Sequence, residues 1–372
     1  MTARIVLDAR LLHYNRTGIG RYLRHLYTAM APLVPQDGLL ELQVAYHQKD
    51  RERALSGVLP SSATLLTPAH HPLERWALAA ELVRLRPALV HAPDHVCAQP
   101  LGWKTVLTVH DLAFWRVPNS HAAASRTYYD GLRRSVQQAA RVICVSHATR
   151  RDLLDYGVAS EQRLRVVHEA PDPLFAALAS QRAAQVKEGA RRPYFVCVGT
   201  IEPRKNHARI IRAFAMLRSR WPGDGTELLI VGRDGVGAPD VRALPGRLGI
   251  AECVRFLGPL PAPEIARLYQ CAVGLVYPSL LEGFGLPILE AMASGCAVIT
   301  SDRSAMAEVA GDAALLADPD DEESIMEALR RLLQDEGERR RVIADGRRRA
   351  DDFSWERAAR ETFAIFQEAL AE

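Results

Sequence analysis

At 372 residues the chain exceeds what a single hydrophobic core usually supports, so two domains are expected. Its 48% hydrophobic and 24% charged residues describe an ordinary globular protein, and a formal charge of +3 without interleaved aromatic and basic residues argues against a nucleic-acid partner. No run approaches the roughly 18 apolar residues of a membrane span, and MTARIVLDAR lacks the apolar stretch of a secretory leader, so the expected location is the cytoplasm.

In chain order, the first half offers strand candidates at 4–9, 42–47, 88–93, 105–110, 141–146 and 164–169. The second half offers them at 194–199, 227–232, 254–258, 273–278, 297–302 and 313–318. Each is a short Val, Ile and Leu-rich run followed by a longer amphipathic stretch, the pattern of α/β proteins with parallel sheets covered on both faces. Two doubly wound units follow, with the predicted boundary in the linker that starts at the prolines of EAPDPLF and runs through Ser180 to Pro193. The predicted domains are 1–175, 176–350 and a tail helix at 351–372, for which Ser354 is the N-cap candidate. Cys97, Cys144, Cys197, Cys253, Cys271 and Cys296 form no C-x-x-C pair and read as buried thiols, neither disulfides nor zinc ligands. The arginine clusters 339–341 and 347–349, with Glu336 and Glu338 nearby, read as a solvated helix face.

Open α/β sheets bind ligands at the carboxyl ends of their strands, and the chemistry-bearing motifs fall at such ends. NRTGIGRY follows the first strand, where Gly18 and Gly20 would let the backbone approach a diphosphate or an acceptor; a tight turn with no ligand is the other reading. Leu23 stands where a dinucleotide fingerprint needs a small residue, which weakens an oxidoreductase. His110 closes the fourth candidate strand region, TVLTVH, where the alternative is a structural histidine. Arg204 and Lys205 lie in VGTIEPRKN between a strand and a helix, two cations placed to clamp an anion. Lysine occurs only at 49, 104, 187 and 205, which singles out Lys205. In EGFGLPILE, Pro287 suits the first helical position, so the amides of Phe284, Gly285 and Leu286 would face a phosphate while Glu282 and Glu290 read sugar or ribose hydroxyls. The Asp318-Pro319-Asp320 triplet is expected to cap the next helix, with metal binding the minor alternative.

EGFGLPILE together with VGTIEPRKN resembles family 4 of the retaining glycosyltransferases, whose members share the two-domain GT-B fold. The likeness runs from the glycines at 18–20 to the tryptophan-containing tail near 355 and is densest at 193–318. It implies two Rossmann-like domains facing a central cleft, the tail helix crossing back to the first. It also implies Glu290 on the donor ribose, Glu282 on the donor sugar, His110 touching that sugar from the opposite side, and Arg204 and Lys205 on the diphosphate. Family members often carry an arginine where this chain has Thr200, a contact that then falls to Arg204.

The activity so implied is metal-independent, retaining transfer of a hexose from a nucleoside diphosphate sugar, with no cofactor. In motif style the chain looks most like bacterial O-antigen and exopolysaccharide mannosyltransferases, which makes GDP-mannose the expected donor. A saccharide or lipid-linked saccharide is the expected acceptor, with peripheral association at the inner membrane face. Two other readings stand beside it, a nucleotide sugar epimerase of the same architecture and a non-catalytic sugar nucleotide binding subunit. A pyridoxal phosphate phosphorylase is disfavoured, since the second domain offers only Lys187 and Lys205.

Overall fold

The computed structural model describes every residue except 1, 15–17, 36, 60, 117–130, 183–191 and 223–224, and 181–182 by backbone only. Part of NRTGIGRY, most of the predicted linker and Lys187 therefore lie outside the described residues.

Among the described residues, thirteen strands build two sheets, and every pairing between them is parallel. The first comprises β1 (Ala3–Asp8), β2 (Leu40–His47), β3 (Ser62–Leu65), β4 (Leu89–Ala92), β5 (Lys104–Val109), β6 (Arg141–Cys144) and β7 (Leu164–Val166), in the order 3-2-1-4-5-6-7. The second comprises β8 (Tyr194–Val198), β9 (Glu227–Val231), β10 (Val254–Gly258), β11 (Gly274–Tyr277), β12 (Val298–Ser301) and β13 (Leu315–Ala317), in the order 10-9-8-11-12-13. Strands buried on both faces carry no polar alternation, which is why β4, β6, β11 and β12 are buried at every position. All twelve predicted strand regions are present. β3 was not predicted, because SATL has no apolar run and sits at the sheet edge with one fully buried residue.

Strand order reverses between β1 and β4 in the first sheet and between β8 and β11 in the second. Loops leaving those strands diverge to opposite faces and open a crevice at the carboxyl edge. Both candidate sites occupy these places.

The residues group into two compact units, one of 1–112, 131–169 and 354–372, the other of 113–116 and 170–353. The boundary thus precedes Ala170 rather than following residue 175. Phe175, fully buried, packs its ring 6.0 Å from Tyr269, which draws the helix Pro173–Arg182 into the second unit. Phe195, Phe214, Ile230 and Leu329 belong to that unit's core.

The last helix, Trp355–Ala371, starts at Ser354, whose side chain accepts from the Arg357 amide. It belongs to the first unit, where Trp355 stacks on His25 at 5.4 Å and Phe366 is buried 5.2 Å from the His91 ring. The arginine clusters on Glu336–Asp351 pair locally, Arg340 with Glu336 and Arg341 with Asp345, as a solvated face does. All six cysteines are free thiols, five buried and Cys271 half-buried. Among the described residues, no helix is long and apolar enough to cross a membrane.

Candidate active site

The second unit's site grows from the loops that leave β8 and β11, the two strands at the order reversal. After β8 the chain must turn sharply over β9. A Cβ on Gly232 would lie 1.8 Å from the Gly199 carbonyl oxygen, so only glycine permits that approach. Residues Pro203–Lys205 form a single 3-10 turn, and Asn206 then adopts a left-handed conformation (φ 64°) that asparagine tolerates. Its buried amide donates to the carbonyls of Pro278 (3.0 Å) and Pro319 (2.6 Å), and the Leu280 amide donates to Arg204 O at 2.8 Å. These bonds fasten the two loops together. Asn206 is a structural member of the site that sequence reasoning left out, although its position in EPRKN is a signal for it.

The fastening brings Arg204, Lys205 and Glu282 into contact. Glu282 Oε1 accepts from Lys205 Nζ at 2.6 Å and from the Tyr277 hydroxyl at 2.9 Å, while Oε2 accepts from Arg204 Nη1 at 2.7 Å. Lys205 also donates to the Tyr277 oxygen at 2.6 Å, and Arg204 Nε meets Glu202 at 2.6 Å. Burial by itself would raise the Glu282 carboxyl, but the Lys205 and Arg204 charges override it and lower it to about 2. Lys205 is lowered by burial, an effect that Glu282 opposes. Burial, assisted by the Lys205 charge, pushes His207 down to about 4, so this imidazole adds no charge.

Each cation of the predicted clamp also holds a carboxylate, so the charges of Arg204, Lys205, Glu202 and Glu282 balance. Lys205 keeps one N–H and Glu282 Oε2 one lone pair beyond the bonds just given.

The remaining positive field comes from backbone. Helix Leu286–Ala293 begins after Gly285, whose left-handed φ of 109° and close approach to Ile288 (3.1 Å from a would-be Cβ) require glycine. Pro287 is thus its second residue rather than its first, and Glu290 is its fifth, buried at 2% exposure. Among the described residues, the amides of Gly285 and Leu286 have no protein acceptor, as expected for a helix start. Phe284 is buried and packs edge-on against Phe353 at 5.9 Å.

Asp318 and Asp320 do not cap the following helix; Asp321 does, accepting from the Glu323 amide at 2.9 Å. Arg303 holds both members of the triplet instead, reaching Asp320 at 2.9 Å and forming a close pair with Asp318.

The first unit gathers a separate set at its own carboxyl edge. His110 lies just past β5, with Nε2 3.0 Å from the Pro93 carbonyl and Nδ1 2.9 Å from Glu169. A carbonyl only accepts, so Nε2 is the donor in its contact with Pro93. Both ring nitrogens thus have protein partners. Gly18 and Gly20 are not loop residues but the first and third of helix Gly18–Met30; Gly18 is exposed and Gly20 buried.

Beside His110, residues past β1 and β4 supply polar groups the sequence reading missed. Arg10 is buried between Asp8 and Glu74, each at 2.7 Å. Asp94 pairs closely with His95 and meets His70 at 3.0 Å. The signals were the polar strings LDAR and APDH directly after apolar runs.

Burial would lower His95, but the adjacent Asp94 overrides it and raises the imidazole to about 9. The stability this pair contributes is then complete below the ordinary value of 6.5 and is lost as pH rises through about 9. Thermal unfolding across that window should fall more steeply for the parent than for His95→Gln, and equal slopes would contradict the pairing.

Comparison with known proteins bears on both units. Residues 180–349 match the family model of glycosyl transferases group 1, and residues 17–173 match that of glycosyltransferase family 4. The chain is 28% identical to O-antigen chain mannosyltransferase B of Escherichia coli over 98% of its length and 99% of that protein. It is 33% identical to the MMP alpha-(1->4)-mannosyltransferase of Mycolicibacterium hassiacum over 73% of its length and 67% of the relative's. Sucrose-phosphate synthase from Thermosynechococcus elongatus shares the fold, with a TM-score of 0.78 at 22% identity and 99% coverage of both chains.

Proposed function

The chain belongs to the group 1 glycosyl transferases of the GT-B fold and is a hexosyltransferase; from that premise we propose that it transfers mannose, with retention, from GDP-mannose to a saccharide hydroxyl. One observation carries the assignment of the site. Lys205, with one uncommitted N–H, is locked by Glu282 and Tyr277 at the strand-order reversal of the second sheet, in the unit that also carries the unpaired amides of Gly285 and Leu286.

In this reading those donors receive the diphosphate, whose negative charge grows as the bond from the sugar's anomeric carbon to the phosphate oxygen breaks. Glu290 reads the ribose, and the open lone pair of Glu282 accepts one sugar hydroxyl. Arg204 holds Glu282 in place. The acceptor oxygen bonds to the anomeric carbon on the face the diphosphate leaves, and its proton passes to a phosphate oxygen. We assign His110 to the wall of the first unit's edge, since both its nitrogens are engaged, and Gly18 to an amide contact at a helix start. Metal independence is supported by Arg303 and Arg209, which pair with the Asp318 and Asp320 carboxylates. Mannose is favoured by the name of the Escherichia coli relative.

Incubation with GDP-mannose and an oligosaccharide acceptor, followed by NMR of the product anomer, tests the reading. An α-mannoside formed equally in excess EDTA is expected; an inverted anomer or a strict Mn²⁺ requirement would contradict it. Sugar conversion without acceptor would favour the epimerase. Glu290→Ala should weaken calorimetric donor binding by about tenfold or more, the value of a lost charged hydrogen bond. Parental affinity in that variant would remove Glu290 from the ribose.

A further inference from the structure

One stretch of the first unit's surface, residues 64–86, exposes mainly apolar and basic side chains. Helix Glu74–Val83 buries Leu78, Ala79 and Leu82 in the sheet's core cluster. Along its other face Leu73, Trp76 and Val83 stand 62%, 59% and 48% exposed, at spacings that place them in one stripe. Leu66, 57% exposed, adjoins the stripe, because its amide donates to Glu81 Oε2 at 2.6 Å.

Between 64 and 86 no exposed residue is acidic. Glu74 is buried against Arg10, and Glu81 is held by the amides of Leu66 and Thr67. The exposed charges are Arg84 and Arg86, at and just past the helix's end, and the half-buried Arg75 guanidinium lies 5.7 Å from the Trp76 ring. Tryptophan suits the boundary between headgroup and acyl chain, arginine the anionic face above it.

We propose that this face docks on a bilayer bearing anionic headgroups. β3 ends at Leu65, so Leu66 lies at the carboxyl edge of the first sheet, the edge that also carries His110. A lipid-linked acceptor would approach along that edge; this last point rests on the proposed transferase reading, whereas docking itself does not.

Cosedimentation with vesicles of phosphatidylcholine and phosphatidylglycerol, against phosphatidylcholine alone, tests it without any assay of turnover. Binding should favour the anionic vesicles by about tenfold or more and weaken about fivefold for each arginine removed in Arg84→Gln and Arg86→Gln. Leu73→Ser with Trp76→Ser should lower it by about tenfold or more. An unchanged thermal midpoint and GDP affinity would show these variants folded. Equal binding to both vesicle types, indifference to the serine pair, or Trp76-dependent dimerisation without vesicle binding would overturn the proposal.

Discussion

Replacing Lys205 with alanine is expected to lower turnover by about 10²-fold or more, the effect of deleting one preorganised donor to a developing oxyanion, while the fold persists. The expected separation follows from the bonding around Glu282. Without Lys205 that carboxylate keeps Arg204 at 2.7 Å and the Tyr277 hydroxyl at 2.9 Å, so no bare charge is left in the interior. What disappears is the Lys205 N–H left over from its bonds to Glu282 and Tyr277. Turnover at the parental level, at saturating donor, would exclude Lys205 from the reaction; a cooperative unfolding transition near the parent's would exclude collapse as the cause of any loss.

Glu282→Ala should reverse that balance. Glu282 is 8% exposed and answers two cations, so its removal leaves Lys205 and Arg204 buried beside one another, with Glu202 still paired to Arg204. Breaking a buried pair from one side costs about 3–5 kcal/mol, and activity should fall with it as Lys205 loses its anchor. A second change identifies the cause. Adding Lys205→Met to Glu282→Ala removes the stranded ammonium and should recover much of the stability while recovering none of the activity. If denaturant midpoints show Glu282→Ala within about 0.5 kcal/mol of the parent, the triad is not the structural element described here.

The comparison between sequence and structure is instructive at single residues. Strands buried on both faces were legible as apolar runs, and β3 was not, since an edge strand of Ser, Ala and Thr has no such run. EGFGLPILE announced a helix start, but the left-handed Gly285 moved that start by one residue and put Glu290 further along the helix. Arg204 and Lys205 were legible as cations at a strand end. Their pairing with Glu282 was not, because 77 residues separate Lys205 from Glu282 and the order reversal of the sheet alone makes them neighbours. The same holds for His110 and Glu169, which bond across 59 residues of sequence. Motif spacing identifies which residue types a site contains; which charge answers which is decided by topology.

In the proposed reading the second unit holds a diphosphate through Lys205 and the start of helix Leu286–Ala293. Calorimetric titration with GDP and with GMP tests it most directly, in the parent and in Lys205→Ala. The parent should bind the diphosphate about tenfold or more tightly than the monophosphate, and the gap should narrow by a similar factor in the variant. Equal affinities in the parent, or a gap that survives the loss of Lys205, would contradict it.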